Sequence, residues 1–234
     1  MSIRWFRGAV RTLEERLSKM TMAKPSAAVD RSFFERPPDA VAFDLVGSWL
    51  VVHDEPREIR AFIVETEAYG GSNDPASHAF RGPTKRSEIM FGPAGFLYVY
   101  LIYGMHWCMN IVTEPRGTAS AVLLRAAELY VPTPGGAGDE VVALRGPGNL
   151  TRGLGITGAD NGLDCCGGEG RHLTIRRPGP GLNDLATGQS KRIGITHERD
   201  RPSRYFLVGH RAVSKLPVDR SATKRTDRNR KSLS

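Results

Sequence analysis

Hydrophobic positions along this 234-residue chain change period as the sequence proceeds. After Pro37-Pro38, the residues Val41, Ala42, Leu45, Val46 and Trp49 recur at spacings of three and four. That pattern predicts a helix of about 8–10 residues with Asp39 at its N-cap. From Leu50 the period falls to two. Leu50-Val51-Val52 starts a strand, Asp54-Glu55-Pro56-Arg57 turns it, and Glu58 to Tyr69 reads as one long strand. Gly70 to Pro83 is a polar loop, and Thr84 to Met90 a short helix stopped by Gly92-Pro93-Ala94-Gly95. Phe96 to Tyr103 is the most apolar run. With Trp107 to Val112 it predicts a β-hairpin whose tip holds Tyr103 to Met105. Ala121 to Ala126 is a further strand, 132–146 a loop rich in Gly and Pro, and Asn149 to Leu154 a short helix behind Pro147. His172 to Ile175, Lys191 to Ile195 and Tyr205 to Val208 read as the last strands.

Strands outnumber helices, and hairpins dominate over β-α-β alternation. The expected fold class is α+β, a single domain with a mainly antiparallel sheet and a protruding β-hairpin. The domain is expected to span residues 38–212, between an N-terminal extension (1–37) and a basic, disordered tail (213–234). Residues 3–20 form a short basic amphipathic helix, or are no part of the protein if Met20 or Met22 is the true start.

Composition narrows the function classes. The 40% hydrophobic and 25% charged residues are ordinary for a soluble domain, and no stretch approaches the ~18 apolar residues of a membrane span. Three cysteines, two of them adjacent at Cys165-Cys166, fit no disulfide framework and imply a reducing, intracellular setting. Without C-x-x-C or H-E-x-x-H, no metal is expected. Of the formal charge of +8, residues 211–234 supply +6 and residues 1–30 supply +3, which leaves −1 for 31–210. Basic ends on a near-neutral body suit a polyanionic partner; the alternative is a solvated terminus with no task. Gly153 to Gly158 fits G-x-G-x-x-G, but it follows no strand and opens no helix, so no dinucleotide site is inferred.

Three features need an explanation. Glu65, Glu67 and Tyr69 share one face of a strand that otherwise reads as core. Either a general base sits in a partly dry cleft, or this is an edge strand with one face in water. Tyr103 stands where the hairpin turns and should project outward, as a wedge between bases or as an ordinary hairpin tyrosine. Asn110 and Arg125 are polar residues among hydrophobes, either bonded to backbone in the core or lining a polar pocket.

Taken together, Ile63-Val64-Glu65-Thr66-Glu67-Ala68-Tyr69, Ala76-Ser77-His78, Phe96 to Met105, Cys108-Met109-Asn110-Ile111 and Leu123-Leu124-Arg125-Ala126 resemble the alkyladenine (3-methyladenine) DNA glycosylase family. Weaker matches follow at Gly146 to Leu150 and at Arg192 to Ile195, and the likeness runs from about residue 38 to about 212. The resemblance implies a curved sheet and a base-excision-repair hydrolase that flips alkylated or deaminated purines out of double-stranded DNA. By position, Glu67 resembles the general base and Arg125 the residue that holds the water and the carboxylate. Tyr69, His78 and Tyr100 resemble the rings around the flipped base, and Asn110 the wall that obstructs the 2-amino group of guanine. Tyr103 resembles the residue that fills the gap in the minor groove, with Met105 beside it. The resemblance further implies a monofunctional, cofactor-free, metal-free monomer, cytoplasmic or nucleoid-associated in a bacterium and nuclear in a eukaryote. His106-Trp107 departs from the family's aromatic pair at the hairpin, and residues 127–146 and 160–171 have no assigned role. Two other functions fit some of these residues: a glycoside hydrolase using Glu65 and Glu67 as a carboxylate pair, and a noncatalytic DNA-binding protein in which Glu67 is structural.

Overall fold

Two long strands, β2 (Arg57–Tyr69) and β5 (Ala121–Pro132), pair antiparallel and form the spine of the sheet in a computed structural model that describes residues 27–133, 138–178 and 185–215. The expected helix at 3–20 and residues 216–234 of the tail lie outside the described residues. Each spine strand divides its outer edge between two partners. β2 takes β1 (Trp49–Asp54) along 57–62 and β9 (Arg204–Leu207) along 65–67. β5 takes β4 (His106–Val112) at 121–123 and β6 (Asp139–Arg145) along 126–132. β3 (Leu97–Ile102) closes the hairpin with β4, β7 (His172–Arg176) flanks β1, and β8 (Thr187–Ser190) flanks β9. Every pairing is antiparallel, and the sheet curls into a half-barrel, as an α+β domain with few helices.

β2 is therefore central, and the edge-strand reading of Glu65 and Glu67 is wrong; both acids are fully buried. Its alternate face carries Phe62, Val64 and Thr66. Thr66 Oγ1 donates to the Ala42 carbonyl of α2 (Pro38–Leu45), which lies across that face. The β2–β5 register slips and recovers between Ile63 and Thr66, so that Val64 and Arg125 each stand without a cross-strand partner. Such irregularities re-aim side chains, and this one falls where Arg125 meets both acids.

Several local expectations change. α2 begins at Pro38, ahead of Asp39, whose carboxylate is instead engaged by the Tyr205 hydroxyl. Gly47 at φ 86° ends that pattern, so Trp49 opens β1. Thr84 and Ser87 satisfy each other's backbone N–H groups, which leaves only a 3₁₀ turn at Glu88–Phe91 where a helix was expected. The loop expected at 132–146 contains β6, because Val141, Val142 and Leu144 sit among the Gly-rich residues. Lys191 to Ile195 is not a strand. Gly194 lies at φ 77°, and the pairing segment is β8, four residues with no large hydrophobe. α3 (Pro147–Gly153) and β7 fall where expected. Residues on both sides of the expected domain pack onto it: α1 (Arg31–Phe34) buries Phe34 in the core, and Ser214 N donates to Glu65.

Candidate active site

A cavity of about 400 Å³ opens where the hairpin, the ends of β2 and β5, the 75–78 loop and the 193–197 segment converge. β3 supplies Tyr98, Tyr100 and Ile102, the alternate residues of one face, as its period of two requires. Asn110 reaches the wall from β4 and Arg125 from β5. Tyr69 comes from the last residue of β2, and Ser77-His78 from the loop behind it. Tyr103 lines the mouth and is 81% exposed. It holds φ at 53°, a left-handed value that a bulky side chain seldom adopts and that points to strain at the tip. Met105 is 70% exposed beside it and does not line the cavity.

The rings are arranged as an aromatic cluster. His78 meets Tyr100 edge to face at 4.7 Å and Tyr98 at 6.1 Å, and its Nδ1 lies 2.9 Å from the Tyr98 hydroxyl. Burial, aided by the positive charge of Arg86, pushes the His78 pKa down to about 4, so the ring is neutral at physiological pH. Burial also drives the Tyr69 and Tyr100 hydroxyls up, and both remain protonated. Asn110 is at once a satisfied core group and a wall residue: Nδ2 donates 3.1 Å to the Tyr98 carbonyl.

Glu67 lies behind this wall. Oε2 accepts from Tyr69 Oη at 2.9 Å and from Arg125 Nη1 at 3.3 Å, and Oε1 from the Ile193 N–H at 2.7 Å. All three donors belong to cavity-lining residues. Burial raises the Glu67 pKa, against the pull of Arg125, the Ile193 N–H and Tyr69. Arg125 turns its Nε to Glu65 Oε1 at 3.1 Å. Glu65 in turn is held by Arg204 Nε at 2.7 Å and the Ser214 N–H at 2.7 Å; neither carboxylate lines the cavity itself, but only Glu67 has all its donors in the cavity wall.

The cavity therefore gathers Arg125, Tyr69, His78, Tyr100, Asn110 and Tyr103, with Glu67 bonded to the back of its wall, and leaves Met105 outside. Sequence reasoning missed Tyr98, the Ile193 N–H, and the fully buried pair Asp74–Arg192. Their signals were faint. Asp74-Pro75 reads as a turn, and Arg192 sits in a segment that mimics a strand. No group of three or more His, Cys, Asp or Glu suited to a metal ion occurs among the described residues. None of their helices is long and apolar enough to cross a membrane.

Residues 32–211 match the model of the methylpurine-DNA glycosylase (MPG) family. A relative from Frankia casuarinae is 44% identical over 204 residues, covering 78% of this chain and 90% of its own length. One from Methanoculleus marisnigri is 44% identical over 191 residues (79% and 97%), and one from Carboxydothermus hydrogenoformans 43% over 190 residues (79% and 97%). All three are provisionally named 3-methyladenine DNA glycosylase.

Proposed function

The chain belongs to the methylpurine-DNA glycosylase family, and from that premise we propose that Glu67 is the general base that arms water against a flipped-out damaged purine nucleotide. The protein is a monofunctional DNA glycosylase of the 3-methyladenine type, a hydrolase of base excision repair. One observation carries the mechanistic reading. A single buried carboxylate receives donors from three separate segments of the cavity wall, on β2, on β5 and at Ile193.

A base in the duplex stack is out of reach, so the nucleotide must be extruded at a cost of a few kcal/mol, least for a damaged pair. Stacking on Tyr69, His78 and Tyr100 returns about 1–3 kcal/mol. Tyr103 and Met105, exposed at the hairpin tip, enter the minor groove and occupy the vacated space. Asn110 obstructs the 2-amino group of normal guanine. Water then attacks C1′ as the bond from C1′ to the purine nitrogen breaks. The proton passes to Glu67, the sugar keeps the hydroxyl, and the purine leaves with the bonding electrons. Methylation at N3 or N7 makes the base cationic before it leaves, which favours both stacking and departure. Arg125 holds the carboxylate in line. No lysine nucleophile is required. The substrates are 3-methyladenine, 7-methylguanine and hypoxanthine in duplex DNA, acted on by a monomer located with the genome.

Glu65 takes no part as a second catalytic acid, because two of its three donors, Arg204 and the Ser214 N–H, lie away from the cavity wall, whereas all three donors of Glu67 belong to it. The test uses duplex carrying hypoxanthine or methylated purines, followed by alkaline cleavage of abasic sites. Excess strand breaks over control are expected; none from folded protein would sink the proposal. Tyr103→Ser should weaken binding to lesion duplex more than to single strands, and equal weakening would remove Tyr103 from its wedge role.

A further inference from the structure

Resting on the reading of Glu67 as the base, we infer that Arg192 is the positioning residue of the site: it fastens the Tyr69 ring, the 70–78 loop and the donor of Glu67 into one rigid unit. Arg192 is fully buried with Asp74. Nη1 and Nη2 grip Asp74 at 2.5 and 2.9 Å, and Nη1 also donates to the Ala68 carbonyl at 3.0 Å. The guanidinium lies 4.6 Å from the centre of the Tyr69 ring. Asp74 in turn accepts from the backbone N–H groups of Gly70 and Ala76, which sets the loop that carries His78. The next residue after Arg192 gives its N–H to Glu67 Oε1.

One planar cation therefore ties together segments more than a hundred positions apart. A lysine in its place offers a point charge and cannot reproduce the forked grip on Asp74, the bond to Ala68 and the stack on Tyr69 together. Arg192 does not line the cavity. It acts through the Ile193 N–H, a hydrogen bond to the charged form of Glu67, which favours that form. Loosening the 192–197 segment removes the donor and makes Glu67 harder to ionise. The groups that face Glu67 are Arg125 on β5, Glu65 and Tyr69 on β2, Cys108 on β4 and Arg192 itself. A change at residue 192 should alter its own charge, the Ile193 N–H and the Tyr69 donor, and leave Arg125, Glu65 and Cys108 in place; Arg192→Lys keeps the charge and so isolates the loss of positioning.

The experiment is the pH dependence of single-turnover excision on duplex carrying whichever of hypoxanthine and 7-methylguanine the full chain removes faster. Asp74→Asn/Arg192→Gln takes out both charges, so neither is left buried alone. The acid limb of the rate profile should move to higher pH by roughly one unit, the tenfold that a charge-assisted hydrogen bond is worth. Arg192→Lys should move it by less in the same direction. A folded double variant whose acid limb stays in place, with a uniform loss across pH, would overturn the inference. If the double variant does not fold, the Arg192→Lys profile decides, and an unmoved limb there has the same force. A Glu67→Gln protein that still excises would instead defeat the reading of Glu67 on which this rests.

Discussion

Two carboxylates two residues apart on β2, both without solvent contact, are pushed in opposite directions. At Glu65, burial is outweighed by Arg125, the Ser214 N–H and Arg204, and the pKa falls below the ordinary glutamate value of 4.5. At Glu67, burial prevails over Arg125, the Ile193 N–H and Tyr69, and the pKa rises. The difference lies in the partners. Glu65 faces two guanidinium groups and a backbone donor, whereas Glu67 shares one of those guanidinium groups at a longer 3.3 Å and otherwise meets neutral donors. Groups of one type that are driven apart by their surroundings mark a division of labour. On the proposed reading, the low one anchors the fold and the high one serves as the base.

The contrast breaks most easily at Glu67. Glu67→Gln should reduce single-turnover excision by at least ~1,000-fold while lesion-duplex affinity stays largely intact, in keeping with loss of a general base. Affinity lost together with activity would mean that Glu67 builds the site. Glu65→Gln should show the reverse balance. Thermal denaturation should report a loss of about 3 kcal/mol, because buried Arg204 loses its counter-charge and Arg125 loses one of two, with only about tenfold slower excision by the folded fraction. Acidification should separate the two functions. Glu65, with a depressed value in the folded state, contributes stability that is complete above pH 4.5 and is lost as pH falls through its lower folded value. Glu67, with a raised value, costs stability when ionised, and its protonation relieves that cost. Excision should therefore fail at a higher pH than the circular dichroism of the folded chain, and coincident loss would contradict the assignment. The smallest effect belongs to Tyr69→Phe, which removes one donor from Glu67 and keeps the ring. Excision should slow only a few-fold, with the acid limb moved slightly to higher pH.

Much of this was legible in the sequence because β-strands announce themselves by period. β1, β2, β3, β4, β5 and β7 carry enough apolar residues to be seen, and the paired acids in β2 stood out against that background. β8 was hidden because Thr187, Gly188, Gln189 and Ser190 hold their place through pairing with β9 and offer no hydrophobic pattern. β6 was masked by the Gly and Pro residues around it. Patterning marked Glu67 and Asn110 as anomalies and the family resemblance gave them roles, whereas His78 was singled out by the resemblance alone. Arg192 and Asp74 stayed invisible because their meaning is a contact across 118 positions, which no local window contains. The same holds for the Ile193 N–H, since a backbone donor has no side-chain signature.

The bond from the Ser214 N–H to Glu65 spans 149 positions and bears on how the enzyme is made. During synthesis, β2 leaves the ribosome long before Arg204 and Ser214 exist, so Glu65 gains these two donors only when positions 139 and 149 further along have been made. This anchor of the fold is thus completed late in synthesis, and a premature stop codon just ahead of position 214 would remove a donor from Glu65 while sparing every residue that lines the cavity.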